Sequence, residues 1–334
     1  MNWNNGFTSR YYLTIVDAAS WRDLDRYELT GGTISKTPDS LMESADLDMV
    51  RIPADVEAWV RIYLDARQTG AGSHEAVFTG LLSAPSTDWD GNRGSHKVEC
   101  YSVLKPAADV LLPRGWYAPA GMNGAAQAAQ LLRIGAAPVE YEENAPGLSS
   151  SIVAEDGESN LTMARKIVDA IGWRIRIEGS GRIAIMPKSE EPVASFDSLE
   201  NDCVELSITD QRDWFSCPNV FRAVNNDMVA VARDDDPERA LSTVSRGREI
   251  WKEEQSCILN DGESLEEYAV RRLKEEQRPS RVANYQRRFH PDVVPGDAVR
   301  LHFAAQAIDG AFRVRSQRIE LGYGARTEEE SEQI

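Results

Sequence analysis

Few residues in this chain have the types and spacing needed for chemistry, and Asp88 and Asp90 on either side of Trp89 are the first candidates. Sugar sites often combine carboxylates with an indole ring, and glycosidases use a pair of carboxylates. Residues two apart on one loop rarely face each other across a sugar, however, and Asp-rich turns are common. We therefore keep a carbohydrate-binding or glycan-hydrolysing module as an alternative, and it requires a cleft lined by both aspartates.

Metal binding has one weak candidate, the run Asp234-Asp235-Asp236, whose oxygens could hold a hard cation. No further carboxylates follow at the spacing of a cation-binding loop, which favours a solvated turn. A zinc site needs clustered ligands, but the four histidines form no cluster. The four cysteines are also widely separated, and we predict buried free thiols at Cys100, Cys203, Cys217 and Cys257.

Known catalytic motifs do not occur, since the sequence has no G-x-S-x-G, no P-loop and no H-E-x-x-H. The aromatic residues Trp116-Tyr117, Trp214-Phe215 and Trp251 fit core or subunit-contact positions better than sugar platforms. We therefore predict no catalytic residue, no cofactor and no metal site, and we expect a protein that is not an enzyme.

Composition favours a folded protein that repels nucleic acid. The 334 residues allow two or three domains, and 54 acidic against 37 basic residues give a net charge of −17. Such a surface repels a phosphate backbone unless its basic residues segregate, so it could stay near DNA without adhering to it. The first residues do not resemble a signal peptide and no apolar run reaches a membrane-spanning length, which predicts a soluble chain that folds in a cytoplasm.

The strongest structural pattern is antiparallel β-structure between Glu28 and Leu104. Apolar and polar residues alternate through Ala58–Ala66 and Glu75–Leu82, on either side of the Gly-rich tip Thr69–Ser73, which predicts a hairpin. A similar pattern returns at 299–321, with a short turn at Ile308-Asp309-Gly310. Two similar β units are one explanation, and shared strand chemistry alone is the other.

The order of the segments predicts an α+β, mainly β protein. Residues 1–105 form a first antiparallel β-barrel or sandwich, with a break at Pro38-Asp39-Ser40 and a turn at Ser86–Gly94. Residues 106–195 form an α/β insertion with helices near 124–134 and 159–171 and a hairpin around Gly179-Ser180-Gly181. Residues 196–325 form a second β domain with a helix at 264–276, and 326–334 form a disordered acidic tail.

Short motifs in this order resemble the baseplate hub, or tail tip, proteins of tailed phages and related contractile injection systems. The motifs are Ile34-Ser35-Lys36 with Leu41–Asp48, then Val60–Leu64, and Val77–Leu82 in place of a "vF.G.i" strand end. The segment Val294–Leu301 resembles the "l.pGd.v.l" strand of that family. The resemblance covers nearly the whole chain in order and length.

This resemblance implies two tail-tube-like barrels per chain and a homotrimer whose six barrels adapt a sixfold tail tube to a threefold tip. It implies a virion protein, assembled in the host cytoplasm and without membrane insertion. Its partners would be the tail tube, distal tail, tape measure and tip, spike or fibre proteins. Genomic DNA would pass through its channel without specific binding, and the family would place channel-facing residues such as Asp46 and Asp48 on one face of the strands.

The chain differs from longer tip proteins of this family, and a second tail protein is also compatible with it. The chain has no C-terminal receptor-binding, peptidase or lysozyme extension, so host recognition and wall digestion are expected on other proteins. A distal tail ring protein, which has one tube-like barrel and forms a hexamer, is the alternative within the structural class.

Overall fold

The computed structural model describes residues 1–37, 41–54, 56–83, 85–90, 93–202, 204–225, 228–255, 257, 259, 262–277 and 280–334. The chain divides into two compact units. Unit 1 comprises Met1–Thr209 with Ala283–Ile334, and unit 2 comprises Asp210–Val282. The predicted α+β, mainly β fold class is confirmed.

A closed barrel forms the first part of unit 1. Its strands are β1 (Thr8–Val16), β2 (Asp23–Lys36), β3 (Glu43–Met49), β4 (Ala58–Gln68), β5 (Ala71–Leu82), β6 (Ser86–Asp90) and β7 (Arg93–Ser102). In the described part of the chain they pair in the order β1-β4-β5-β7-β3-β2, β1 closes onto β2, and β6 extends β7. Alternate residues point inward, so Leu13, Ile34, Leu47, Ile62 and Phe78 form one buried core.

Two predicted loops in this barrel are shorter than expected. Strands β4 and β5 pair up to Gln68 and Ala71, so only Thr69 and Gly70 form the tip, and Gly70 supplies the positive φ of 77°. The segment Ser86–Gly94, predicted as a turn, contains strand β6 and the first residues of β7. Its polar composition suggested a turn, but an edge strand also tolerates polar residues on both faces. The predicted break at Pro38-Asp39-Ser40 lies outside the described residues.

The insertion contains three helices and two small sheets. Its elements are α1 (Lys105–Asp109), β8 (Tyr117–Ala118), α2 (Gly124–Leu132), β9 (Val139–Tyr141), β10 (Ile152–Val153), α3 (Asn160–Ala170), β11 (Trp173–Ile177) and β12 (Ile183–Pro187). Ser159 caps α3 by accepting a hydrogen bond from the Thr162 amide, and Gly172 follows the helix with φ at 71°. Strand β12 pairs with both β11 and β9.

A second sheet completes unit 1. Its strands are β13 (Pro192–Asp197), β14 (Val204–Asp213), β18 (Ser280–Arg287), β19 (Ala298–Phe303), β20 (Ile308–Glu320) and β21 (Thr327–Gln333), in the order β13-β19-β20-β21-β18-β14. A 3-10 turn at Ala304–Gln306 connects β19 to β20, so the turn expected at Ile308-Asp309-Gly310 is wrong. The last residues of β20 also pair with β2, which joins both sheets into one.

The closing acidic segment is strand β21, so the expectation of a disordered tail is wrong. Thr327, Glu329 and Ser331 are buried and alternate with outward-facing residues. Glu329 accepts a 2.8 Å hydrogen bond from Arg287 Nε, and the two side chains are 0% and 1% exposed. The negative charges looked like a solvated run because Arg287, the buried partner of Glu329, lies on another strand.

Unit 2 is a small α/β structure. It contains β15 (Val220–Asn225), β16 (Met228–Arg233), α4 (Thr243–Arg246), β17 (Trp251–Gln255) and α5 (Leu265–Glu276). The sheet has the order β16-β15-β17, and Tyr268, Ala269 and Leu273 of α5 share a core with Phe221 and Ala232. The predicted helix with its Ser264 and Glu267 capping box is confirmed. The segment 196–325 is therefore not one continuous β domain, because unit 2 has its own sheet and core.

The tip of the β11–β12 hairpin contacts the first barrel. The backbone oxygen of Gly179 accepts a 2.7 Å hydrogen bond from Thr79 Oγ1, and that of Ser180 accepts one of 3.0 Å from Arg61 Nη2. A Cβ atom on Gly179 would lie 1.7 Å from the backbone oxygen of Ala76. Only glycine allows this close approach of two backbones.

The same hairpin contacts the second sheet through Asp297. Arg174 and Arg176 of β11 both donate to the buried Asp297 carboxylate, and Arg176 Nη1 lies 2.7 Å from Oδ2. Asp297 Oδ2 also accepts from the Val294 amide at 2.9 Å. The hairpin therefore connects both β-sheet regions of unit 1.

We predict that Gly179→Ala lowers the free energy of unfolding by about 2–3 kcal/mol, because the new methyl group must displace the β5 backbone. Urea unfolding followed by tryptophan fluorescence measures the change. Gly322→Ala is the control, since a Cβ there meets no atom within 4 Å. Equal effects of the two substitutions would contradict the proposed close contact.

We predict a second effect on stability from His290, because burial, together with the nearby Arg287, lowers its pKa from 6.5 to about 4. As the pH falls, the histidine becomes protonated in the unfolded chain before it does so in the folded protein. The contribution of neutral His290 to the free energy of unfolding is therefore fully present above about pH 6.5 and is lost as the pH drops toward 4. The loss between about pH 7 and about pH 5 should be about 2 kcal/mol. Urea unfolding at both pH values measures it.

His290→Gln should flatten this pH dependence, whereas His96→Gln, which changes a histidine on β7, should leave it intact. A slope that is unchanged in His290→Gln would show that other groups cause the pH dependence.

Candidate functional site

The residues predicted to face a channel lie on the outside of the first barrel. In β3, Ala45 and Leu47 point into the core, whereas Asp46 and Asp48 alternate with them and are exposed. The neighbouring strands β7, β2 and β20 follow the same alternation. Asp46 and Asp48 are thus on one solvent-facing surface, and the channel role that the resemblance implies for them stays a prediction.

Strand registers show which side chains accompany them. Asp46 lies directly opposite Glu99 of β7 and Thr33 of β2, and Thr33 lies opposite Glu320 of β20. Like charges directly opposite each other destabilise a sheet. The adjacency of Asp46 and Glu99 therefore costs stability that the fold alone does not explain.

This surface continues without interruption from the first barrel to the second sheet. The next row runs from Ser35 of β2 to Arg318 of β20 and Glu328 of β21, and Glu330 lies opposite Ser316. We call the outward-facing side chains of β7, β3, β2, β20 and β21 the junction face. Its acidic members outnumber its basic members. The acidic side chains in these rows are Asp46, Asp48, Glu99, Glu320, Glu328 and Glu330, and the basic ones on these strands include Lys97, Arg318 and Arg315, which lies 3.8 Å from Glu330.

The junction face borders a groove of about 650 Å³ where β20 and β21 approach β18 and β14. Arg326 donates to Glu205 at 2.9 Å and to Gln286 at 3.1 Å, and Gln286 donates to Glu328 at 3.1 Å. These contacts hold the groove walls in a polar network. The groove has carboxylates and amides on its walls, and such a surface favours water over an apolar ligand.

Cys100 lies beneath the junction face. Burial, together with Asp46 and Glu99, raises the pKa of its thiol, so the sulfur stays protonated and is a poor nucleophile. Cys100 and Cys257 are free and buried, as predicted, Cys217 is buried, and Cys203 lies outside the described residues.

The carboxylate pair flanking Trp89 does not form a cleft. Asp88 and Asp90 occur on the edge strand β6, where strand alternation puts them on the face opposite the indole. Trp89 is 71% exposed and its ring lies against Gly94, while Asp88 pairs with Lys97 at 3.7 Å. The carboxylates and the indole therefore do not converge as a sugar site requires.

The acidic run in unit 2 has local partners. Asp234 is buried and accepts a 2.8 Å hydrogen bond from Gln277, and Asp235 accepts one of 2.8 Å from Arg233. No cluster of three or more possible metal ligands occurs among the described residues. Likewise, no described helix is long and apolar enough to cross a membrane.

The exposed aromatic residues correct one expectation. Trp214, Phe215 and Trp251 in unit 2 are exposed rather than core residues, and so is Tyr117 in the insertion. Arg248 covers Phe215 at 4.1 Å from the ring centroid. Their alternative role as subunit contacts remains a prediction.

The family resemblance offered Asp46 and Asp48 as examples of channel-facing residues and did not include Glu320, Arg318 and Glu328. These residues join the junction face only because β2 pairs with β20, and a pairing between distant segments leaves no local pattern. The alternation Arg318-Ile319-Glu320 was the available signal, since it marks a strand with one solvent-facing side.

Comparisons with known proteins place this fold among phage tail proteins. The sequence matches no family model and no curated protein. The structure is similar to a tail protein from Neisseria meningitidis MC58, with a TM-score of 0.69, 17% identity and 97% of each chain covered. It is also similar to the 43 kDa tail protein of prophage MuSo2 from Shewanella oneidensis, with a TM-score of 0.66, 13% identity, and 97% and 98% of the two chains covered.

A third similar structure is the prophage tail protein gp18 from Listeria monocytogenes EGD-e. Its TM-score is 0.56 at 12% identity, with 97% of this chain and 94% of that chain covered. The three similarities extend over nearly the whole chain. The resemblance to phage tail proteins expected from the sequence is thus confirmed at the level of the fold.

We predict that Asp46→Asn raises the free energy of unfolding by about 0.5 kcal/mol at low salt, because it removes the repulsion from Glu99. The gain should shrink near 1 M NaCl, and urea unfolding at the two salt concentrations measures it. Asp309→Asn is the control, since Asp309 pairs with Arg300 at 3.2 Å and its loss should give no gain. Destabilisation by Asp46→Asn at low salt would contradict this electrostatic account.

Proposed function

We propose that this protein is a structural component of a phage tail, the baseplate hub or tip. Three copies form a pseudo-sixfold ring that joins the tail tube to the tail tip and lines the DNA channel. The observation that carries the proposal is the pairing of β2 with β20, which joins two β-sheet regions in one chain of tail-protein fold.

The presence of two β-sheet regions in one chain supports an assembly of three copies. Among the described residues, the closed barrel and the second sheet each contain a path of six strands. A ring with head-to-tail contacts closes only if each contact supplies the right rotation. Three chains with two such regions each would present six β elements to a sixfold tube, and the other end could follow threefold symmetry.

The acidic junction face supports a channel lining. It spans both sheet regions, and its rows contain Asp46, Asp48 and Glu99 next to Glu320. DNA carries one negative charge per about 1.7 Å of axis, so a wall of carboxylates repels it and prevents adhesion. The destabilising proximity of Asp46 and Glu99 then has a functional reason.

A position between the tail tube and the tail tip determines the expected partners and location of the protein. The partners would be the tail tube, distal tail and tape measure proteins on one side and tip, spike or fibre proteins on the other. The protein would act without catalysis in the virion, after assembly in the host cytoplasm, and DNA would pass it without specific binding.

A distal tail ring protein is the alternative, and it would assemble as six copies. That arrangement needs one tube-like barrel per chain. This chain has a second sheet, which includes the buried pair Arg287–Glu329, in addition to its barrel, and this favours the hub over the distal tail ring protein.

Charge reversal of the junction face tests the proposal. We predict that phage carrying Asp46→Lys and Asp48→Lys release their DNA several-fold more slowly at low salt, because the lysines attract phosphates, and that added salt restores the rate. Fluorescent-dye detection of ejected DNA from purified virions measures release. Glu190→Lys with Glu191→Lys is the control, since these exposed residues lie between β12 and β13.

Tail number and length by electron microscopy establish that each variant assembles. If assembly fails, the purified Asp46→Lys, Asp48→Lys protein is compared with the control variant for binding to duplex DNA. Normal ejection from intact virions, or equal DNA binding by the two purified variants, would refute a channel role for this face.

A further inference from the structure

A cavity of about 640 Å³ lies between the insertion and the second sheet of unit 1. Four arginines contribute to its lining: Arg165 from α3, Arg174 from β11, and Arg313 and Arg315 from β20. Such a concentration of positive charge is unexpected in a chain with a net charge of −17. We call this space the arginine cavity.

Arg174, on one wall of the cavity, belongs to a partly buried cluster with excess positive charge. Arg174 and Arg176 share the single carboxylate of Asp297, and the three side chains are 11%, 19% and 1% exposed. Two guanidinium groups and one carboxylate carry a net charge of +1. A charge that is partly withdrawn from water and lacks a counter-charge is costly, so the cluster favours an additional anion nearby.

Hydrogen-bond acceptors are also lacking beside these arginines. Arg174 Nε and Nη1 and Arg313 Nε are buried and have no acceptor among the described residues. A buried donor without a partner costs about 1–3 kcal/mol. Three such donors at the edge of one cavity indicate acceptors that come from outside the protein.

The acidic residues of the lining do not fill this role, because they have other partners. Glu332 accepts from Arg315 at 2.8 Å and Glu330 lies 3.8 Å from the same guanidinium. Asp169 lies 3.9 Å from Lys188. These carboxylates leave the unpaired donors of Arg174 and Arg313 without acceptors.

The backbone of the Pro295-Gly296-Asp297 segment creates the space for Arg174. Gly296 has φ at 91°, and a Cβ atom there would lie 2.6 Å from Arg174 Nη1. A side chain at this position would displace the guanidinium from the cavity wall. The glycine is therefore needed for the position of the arginine as well as for the turn.

We propose that the arginine cavity binds a small oxyanion of the phosphate or carboxylate class. Arg174 and Arg313 supply charge-assisted hydrogen bonds, and Arg165 of α3 lines the same cavity. The volume exceeds that of one phosphate, which leaves room for ordered water around the ion. A bound oxyanion would link the insertion to the second sheet and stabilise unit 1.

Binding of inorganic phosphate and of malonate to the full-length protein tests this proposal. Isothermal titration at constant ionic strength, with chloride as the reference, should show one saturable site, and the anion should raise the unfolding temperature. Binding of phosphate alone assigns the phosphate class, whereas comparable binding of malonate assigns the carboxylate class.

Variants locate the site. Arg313→Gln and Arg165→Gln should each weaken binding at least tenfold, whereas Arg10→Gln, which removes an exposed charge paired with Glu28, should leave it unchanged. If Arg313→Gln does not fold, Arg165→Gln alone tests whether the anion binds in the arginine cavity. The absence of saturable binding, or binding that neither cavity variant weakens, would overturn the proposal.

Discussion

The pairing of β2 with β20 is the constraint on which the rest of unit 1 depends. Each strand pairs along one edge within its own sheet, β2 with β3 and β20 with β21. Their other edges satisfy each other's backbone hydrogen bonds from Thr33 opposite Glu320 to Lys36 opposite Gln317. An unpaired strand end would offer a site for aggregation. The register also determines the faces, because it puts Ile34 and Ile319 in the core and their neighbours outside. A shift of β20 by one residue against β2 would turn Glu320 toward the core and Ile319 outward, so one pairing determines both the core and the junction face.

Two buried polar contacts reinforce this arrangement. Glu329 and Arg287 connect β21 to β18 inside the second sheet, and Asp297 connects that sheet to the β11–β12 hairpin. The hairpin tip then reaches the first barrel, where Gly179 allows the two backbones to touch. Truncating one partner of a buried ion pair leaves the other charge uncompensated, so these contacts tolerate little change. The insertion thus contacts, and helps to fix in position, both of the sheets that form the junction face.

Sequence reasoning succeeded where the determinants are local. Alternation identified β4 and β5, Ser159 marked the start of α3, and the Ser264–Glu267 capping box marked α5. It failed where a distant partner decides the outcome. The acidic residues after Arg326 looked disordered because Arg287, which neutralises Glu329, lies on another strand. The resemblance offered only Asp46 and Asp48 as members of the junction face, since its other half depends on a pairing with no local signature. Burial was predicted correctly for Cys100, Cys217 and Cys257.

We propose that the two sheet regions of each chain form a threefold ring whose junction face lines the channel. Cryo-electron microscopy of tail tips, with an independent count of subunits, would test this arrangement. We expect three copies beneath the sixfold tube, with Asp46, Asp48 and Glu320 facing the lumen. Six copies of this chain, or a ring in which these side chains face outward, would contradict it.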